Sequence, residues 1–154
     1  MEGVVVAMAP ERRSHADRKA LAWLALRRAI AAAGVPCHVY PDGVTVAVGE
    51  SDYEPDAVLR CGPPLPGDGV DVPDPLVVVE VLSPSTRGVD LVQKLVDYFK
   101  LPTIQHYLIV FADRPQVIHH RRHDDGIETR IMTHGDITLN PPGITLTLDE
   151  LYTE

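Results

Sequence analysis

Glu80 is the residue whose setting most demands a chemical explanation. It interrupts Leu76–Leu82, LVVVEVL, an otherwise wholly apolar and largely β-branched run. Such a run marks a strand buried on both faces at the centre of a sheet. A carboxylate there is unfavourable unless it is paired or bound to a cation. Glu80 is therefore either a metal ligand or a structural acid satisfied by an arginine or a backbone donor. A hard cation such as Mg²⁺ takes oxygen ligands, so a metal site needs a second acid. Two aspartates follow a proline upstream, Asp56 and Asp74. Asp74 precedes Glu80 on one extended segment, roughly 20 Å away at about 3.3 Å per residue, too far to share an ion. It is read as a turn residue. Asp56 opens a strand that can return beside Glu80, and it is the expected partner.

Other polar residues carry weaker signals. Lys94 falls at the margin of an apolar helical stripe, one turn from Asp90. By spacing alone an Asp90–Lys94 surface pair is the simpler reading. The alternative is a lysine whose stem follows the apolar surface into a cleft. His119, His120, Arg121, Arg122 and His123 form a compact basic run. Neighbouring strand residues point to opposite faces, so His119 and His120 do not share a metal. They are expected as solvated residues at a strand end. Cys37 and Cys61 stand without CxxC spacing. That argues against a disulfide framework and against a thiolate zinc site, and both are expected as small core residues. Gly-rich phosphate loops, GxSxG elbows and HExxH helices are absent from the sequence.

The elements that must position these groups alternate along the chain. A helix is predicted from Ser14, as N-cap, to Ala33, with Ala20, Trp23, Leu24, Ile30 and Ala31 on its apolar face and Gly34-Val35-Pro36 as its stop. Strands Cys37–Tyr40 and Val44–Val48 flank Pro41-Asp42-Gly43 as a hairpin. A strand at Ala57–Arg60 and a Pro/Gly/Asp-rich loop from Gly62 to Asp74 precede the Glu80 strand. A second helix is predicted over Arg87–Lys100, closed by Pro102, and strands over Gln105–Phe111, Gln116–His120, Glu128–Met132 and Ile144–Leu148. Turns at Asp113-Arg114-Pro115 and Asp124-Asp125-Gly126 separate the first three of these. This is the pattern of a mixed β-sheet flanked by helices, an α/β or α+β domain.

The 154 residues suit one such domain, and the 45% apolar share suits a globular core. Apolar runs stay well below the roughly 18 residues of a membrane span. Met1–Arg13 is not patterned as a signal peptide, so a cytoplasmic protein is expected. The net charge of −8 gives no support to a nucleic-acid partner.

The segment DVPDPLVVVEVLSPSTRGVDLVQKLVDYFKLPTIQHYLIV resembles the signature of the Uma-type family of restriction-endonuclease-like proteins, within the PD-(D/E)XK nuclease superfamily. The Ser14 helix, the YEPD segment, the RPQVIHHRR strand and the closing LTLDELY fall in the same order, so the likeness covers nearly the whole chain. It implies the restriction-endonuclease-like fold and a site binding Mg²⁺, with Mn²⁺ as an alternative ion. Asp56, Glu80 and the Val81 carbonyl would hold the ion. The superfamily's lysine normally lies two residues after the glutamate, where this chain has Leu82. The resemblance moves that role to Lys94. Its implied function is endonucleolytic hydrolysis of nucleic acid, chiefly double-stranded DNA, by a homodimer whose two sites address two strands. Two alternatives remain open: a catalytically silent nucleic-acid-binding or protein-interaction module, and a hydrolase of another phosphate ester.

Overall fold

The structure, a computed structural model, describes residues 11–83 and 91–153. In chain order these form α1 (Arg13–Ala33), β1 (Cys37–Pro41), β2 (Val46–Val48), β3 (Ser51–Tyr53), β4 (Ala57–Cys61), β5 (Val77–Leu82) and α2 (Leu91–Phe99). Then follow β6 (His106–Phe111), β7 (Val117–His123), β8 (Gly126–Met132), β9 (Asp136–Leu139), β10 (Ile144–Thr147) and α3 (Leu148–Tyr152).

Six strands form one sheet in the order β1-β4-β5-β6-β7-β8. β5 and β6 are parallel, as the intervening crossover through α2 requires. The other neighbours in this sheet are antiparallel. The result is a mixed α+β architecture with helices on a largely antiparallel sheet. The Glu80 strand is central, as its composition predicts. Val77, Val79 and Val81 face α1, while Val78 and Leu82 join the apolar cluster under α2. No helix among the described residues is long and apolar enough to cross a membrane.

α1 meets the sheet through Ala22, Ala25, Leu26 and Ala29. Three small side chains let the helix axis approach the valines of β4 and β5 closely. Of the predicted face, Trp23 and Ile30 pack half-buried against this core, whereas Ala20 and Ala31 are exposed. Gly34 ends the helix in the left-handed region at φ 67°, as expected. Ser14 is not the N-cap. The N-cap is Arg12, two residues earlier, with its carbonyl accepting from the amides of His15 and Ala16.

The predicted hairpin around Pro41-Asp42-Gly43 does not form. β1 pairs with β4 and β2 with β3, through a tight Gly49-Glu50 link whose glycine has φ 59°. Joining β1 to β4 extends a sheet already anchored by β5, which a free two-stranded ribbon cannot match. That pairing sets Cys37 directly opposite Cys61, and the two form a disulfide, against the expectation of separate thiols. β3, β9 and α3 were not expected as elements. Asp74 has φ 53°, in keeping with its reading as a turn residue. The predicted start of the second helix at Arg87, and Asp90 with it, lie outside the described residues.

Candidate active site

The β4–β5 register, Ala57↔Val79 and Val58↔Val78, brings Asp56 level with Glu80 on the α2 side of the sheet. Asp56 is fixed by its own backbone. Its amide donates to the Val79 carbonyl at 2.9 Å, and its Oδ2 accepts from the Val81 amide at 2.6 Å. Pro55 before it is buried, which pins the chain where strand pairing begins.

Glu80 points toward α2. Its Oε2 accepts from the Tyr98 hydroxyl at 2.7 Å and from the Lys94 ammonium at 3.2 Å. Lys94 and Tyr98 are one helical turn apart, so both reach the same carboxylate. The Lys94 side chain keeps 25% of its exposure against 13% for Glu80. Asp56, Glu80, Val81, Lys94, Leu82, Leu91, Tyr107, Ile109 and His15 line one cavity of about 150 Å³. Leu82 lines the same cavity with an apolar side chain, and Lys94 is the cation bonded to Glu80.

Both carboxyls are held above the ordinary range. For Asp56 the main cause is burial, opposed by the Val81 amide and by the His15 and Lys19 charges. For Glu80 it is again burial, with Asp56 adding repulsion while Lys94 and Tyr98 oppose it. Two desolvated acids at such proximity favour a bound cation.

Three residues of this site were not read from the sequence. His15, in the first turn of α1, places Nε2 3.1 Å from the Val81 carbonyl and Nδ1 3.1 Å from Glu11. No local pattern announces it, because its target lies 66 residues away. Tyr98 is fully buried, one helical turn after Lys94. Tyr107 is also fully buried, yet its hydroxyl has no hydrogen-bond partner among the described residues. It faces the cavity of Asp56 and Glu80, whose charges push its hydroxyl pKa up further after burial has raised it. Tyrosines amid apolar strand or helix residues near a suspect acid are the one signal that could have found the last two.

The donor set suits a hard divalent ion. Hydrogen bonds among the described residues engage Oδ2 of Asp56 and Oε2 of Glu80, which leaves the second oxygen of each carboxylate without one. The Val81 carbonyl lies beside them. Among the described residues no group of three His, Cys, Asp or Glu side chains converges on one point. An ion there would use two carboxylates, a carbonyl and solvent or substrate oxygens, the all-oxygen set that hard divalent ions take.

The family model named Uma2 and described as "Putative restriction endonuclease" matches residues 1–150. The chain belongs to the Uma2 family. A protein of Synechocystis sp. (strain ATCC 27184 / PCC 6803 / Kazusa), "Uncharacterized protein slr1290", is 27% identical over 124 residues. That match covers 72% of this chain and 65% of the relative, so this Uma2 chain spans less than two thirds of the relative's length. A crystal structure described as a "putative nuclease belonging to DUF820", from Anabaena variabilis ATCC 29413, superposes with a TM-score of 0.73 at 14% identity. The superposition covers 99% of this chain and 88% of that one. At that identity the likeness establishes the fold alone, which this Uma2 member shares with that protein.

Of the basic run on β7, His123 is exposed at the strand end as expected, but the two histidines before Arg121 are not. His119 and His120 are buried, at 4% and 9% exposure. They do point to opposite faces: Nε2 of His119 meets Nδ1 of His106 at 2.9 Å, and Nδ1 of His120 meets the Thr129 hydroxyl at 2.7 Å. Burial lowers His106 and His119 to about 4 each, so both stay neutral at physiological pH and tie β6 to β7. The β9–β10 ribbon lies on their side of the sheet; β10 matches the strand expected over Ile144–Leu148, and β9 was not expected.

Proposed function

We propose that this chain is a divalent-metal-dependent endonuclease that hydrolyses phosphodiester bonds, with double-stranded DNA as substrate. The observation that carries the reading is the meeting of Asp56, Glu80 and Lys94 in one cavity from three separate elements. Asp56 and Glu80, with the Val81 carbonyl, hold Mg²⁺ or Mn²⁺. A bound ion supplies Lewis-acid stabilisation of the charge that develops on the phosphate. Lys94 places a second positive charge against that phosphate. The Tyr107 hydroxyl donates to a phosphate oxygen, and His15 holds the Val81 carbonyl in position. Water adds to phosphorus, one P–O ester bond breaks, and the leaving oxygen takes a proton to give an alcohol and a phosphate monoester. A homodimer supplies two such sites for two strands, and the cytoplasm is where its DNA substrate lies.

One observation favours a second reading, a catalytically silent binding module. Lys94 and Tyr98 already satisfy one Glu80 oxygen in the manner of a structural buried pair. Incubation of supercoiled plasmid with the protein in Mg²⁺, Mn²⁺ or EDTA separates the readings. The nuclease nicks or linearises the plasmid only with metal, and Glu80→Gln does not. Intact plasmid with wild-type protein in both metals supports the silent module.

A further inference from the structure

β8 ends the six-stranded sheet, and among the described residues no strand pairs with its outer edge. Exposed edges are normally blunted by a bulge, a proline or charged side chains, lysine above all; the charges of β8 are Glu128 and Arg130. β8, GIETRIM, has no proline or lysine, and its register with β7 runs unbroken from Gly126 to Met132. All but Met132 of its residues are exposed, including Ile127 at 41% and Ile131 at 67%.

The directions of its backbone groups follow from the sheet. The Arg122 amide donates to the Gln105 carbonyl, so Arg122, His120 and Ile118 turn toward β6. The alternate residues, His123, Arg121, His119 and Val117, then bond to Gly126, Glu128, Arg130 and Met132 of β8. The amides and carbonyls left facing outward are those of Ile127, Thr129 and Ile131.

We propose that β8 pairs antiparallel with β8 of a second copy of this chain, about a two-fold axis at Thr129, and joins the two sheets into one. In this register Thr129 meets the partner's Thr129, and Ile127 meets the partner's Ile131, all through outward-facing groups. On the other face Glu128 lies opposite the partner's Arg130, twice by symmetry. The two nearest registers that also satisfy the backbone are centred on Glu128 or Arg130, and each sets that charge against itself. Like charges directly opposite are destabilising, so the sequence selects the Thr129 centre. Within one copy Glu128 bonds only Arg121, at 3.2 Å, and Arg130 has no hydrogen bond or ion pair among the described residues. The second copy supplies Arg130 with its carboxylate and covers two exposed isoleucines. An interface of this kind is isologous, as two-fold dimers require, and it stands independently of the nuclease reading.

Sedimentation equilibrium of the full chain tests the pairing. Wild-type protein should be dimeric, and Arg130→Glu and Glu128→Arg should each weaken the dimer about tenfold or more, since attraction becomes repulsion at both symmetric pairs. Mixing the two variants should restore a dimer, because every facing pair is then opposite in charge. Thr129→Cys should cross-link to its own copy under mild oxidation, whereas Ile127→Cys should not, since its facing residue is Ile131. The cross-link stands as a separate readout should a charge reversal impair folding. A monomeric wild type, a dimer indifferent to both reversals, or a mixture no tighter than its components overturns the proposal.

Discussion

The Lys94 ammonium lies 3.2 Å from Oε2 of Glu80, across 14 residues of sequence and from helix to strand. The same ammonium faces the cavity that Asp56 shares. In the proposed function that lysine serves the cleft. We therefore expect Lys94→Ala to lower plasmid cleavage at least about 100-fold, in the range set by loss of one preorganised stabilising group. Its melting temperature should change little, because the side chain is partly exposed and Glu80 keeps Tyr98. Asp90→Ala should leave most cleavage intact. Equal losses from the two substitutions would contradict the assignment.

The raised pKa values of Asp56 and Glu80 have a signed consequence for stability. An acid whose folded pKa exceeds its unfolded value stabilises the fold when protonated, and this stabilisation fades as pH rises through the folded pKa. Both acids are raised by burial. In EDTA, the Asp56→Asn/Glu80→Gln double variant should therefore gain in melting temperature over wild type as pH rises from the acid range toward neutrality. Mg²⁺ should lift the wild type alone, and most at the higher pH. A difference that shrinks with rising pH would reverse the sign and the argument.

Tyr107 separates catalysis from stability in the opposite sense to a core residue. Its hydroxyl is buried without a partner among the described residues, so Tyr107→Phe removes no hydrogen bond. An unmet buried hydroxyl costs about 1 to 3 kcal/mol, and its removal should leave stability unchanged or raise it by up to about that amount. Cleavage should fall roughly tenfold, matching about 1.4 kcal/mol of lost transition-state hydrogen bonding. Unaltered cleavage would remove Tyr107 from the site.

The Cys37–Cys61 bridge closes a segment with a sequence separation of 24. A loop of that size is worth about 3 kcal/mol through the unfolded chain, or roughly 10 °C in a domain of this length. Cys37→Ser/Cys61→Ser should melt lower by that amount under oxidising conditions and match the wild type in dithiothreitol. Because cytoplasmic thiol pools reduce most such bridges, alkylation of the protein before cell lysis reports which form exists in the cell.

What was legible in the sequence follows from range. The Glu80 strand was plain because burial on both faces leaves a continuous apolar run, and an acid inside it has no bland local cause. Asp56 and Lys94 were reachable from strand spacing, helical spacing and the family likeness together. His15 was not, since its contact with Val81 exists only after α1 folds onto the sheet. The β1–β4 pairing, and the disulfide that depends on it, likewise reflect competition between distant partners that a turn-like Pro-Asp-Gly does not resolve. β9, which helps cover the paired histidines His106 and His119, is four residues long and shows too little alternation to be read as a strand.

The central claim is that Asp56 and Glu80 hold one divalent ion. Titration of Mn²⁺ into the metal-free protein, followed by electron paramagnetic resonance, reads this without reference to any substrate. We expect one bound ion per chain in the wild type, displaced by excess Mg²⁺, and loss of that binding in both Asp56→Asn and Glu80→Gln, with Lys94→Ala retaining it. Binding that survives both carboxylate substitutions, or no binding by the folded wild type, would contradict the claim.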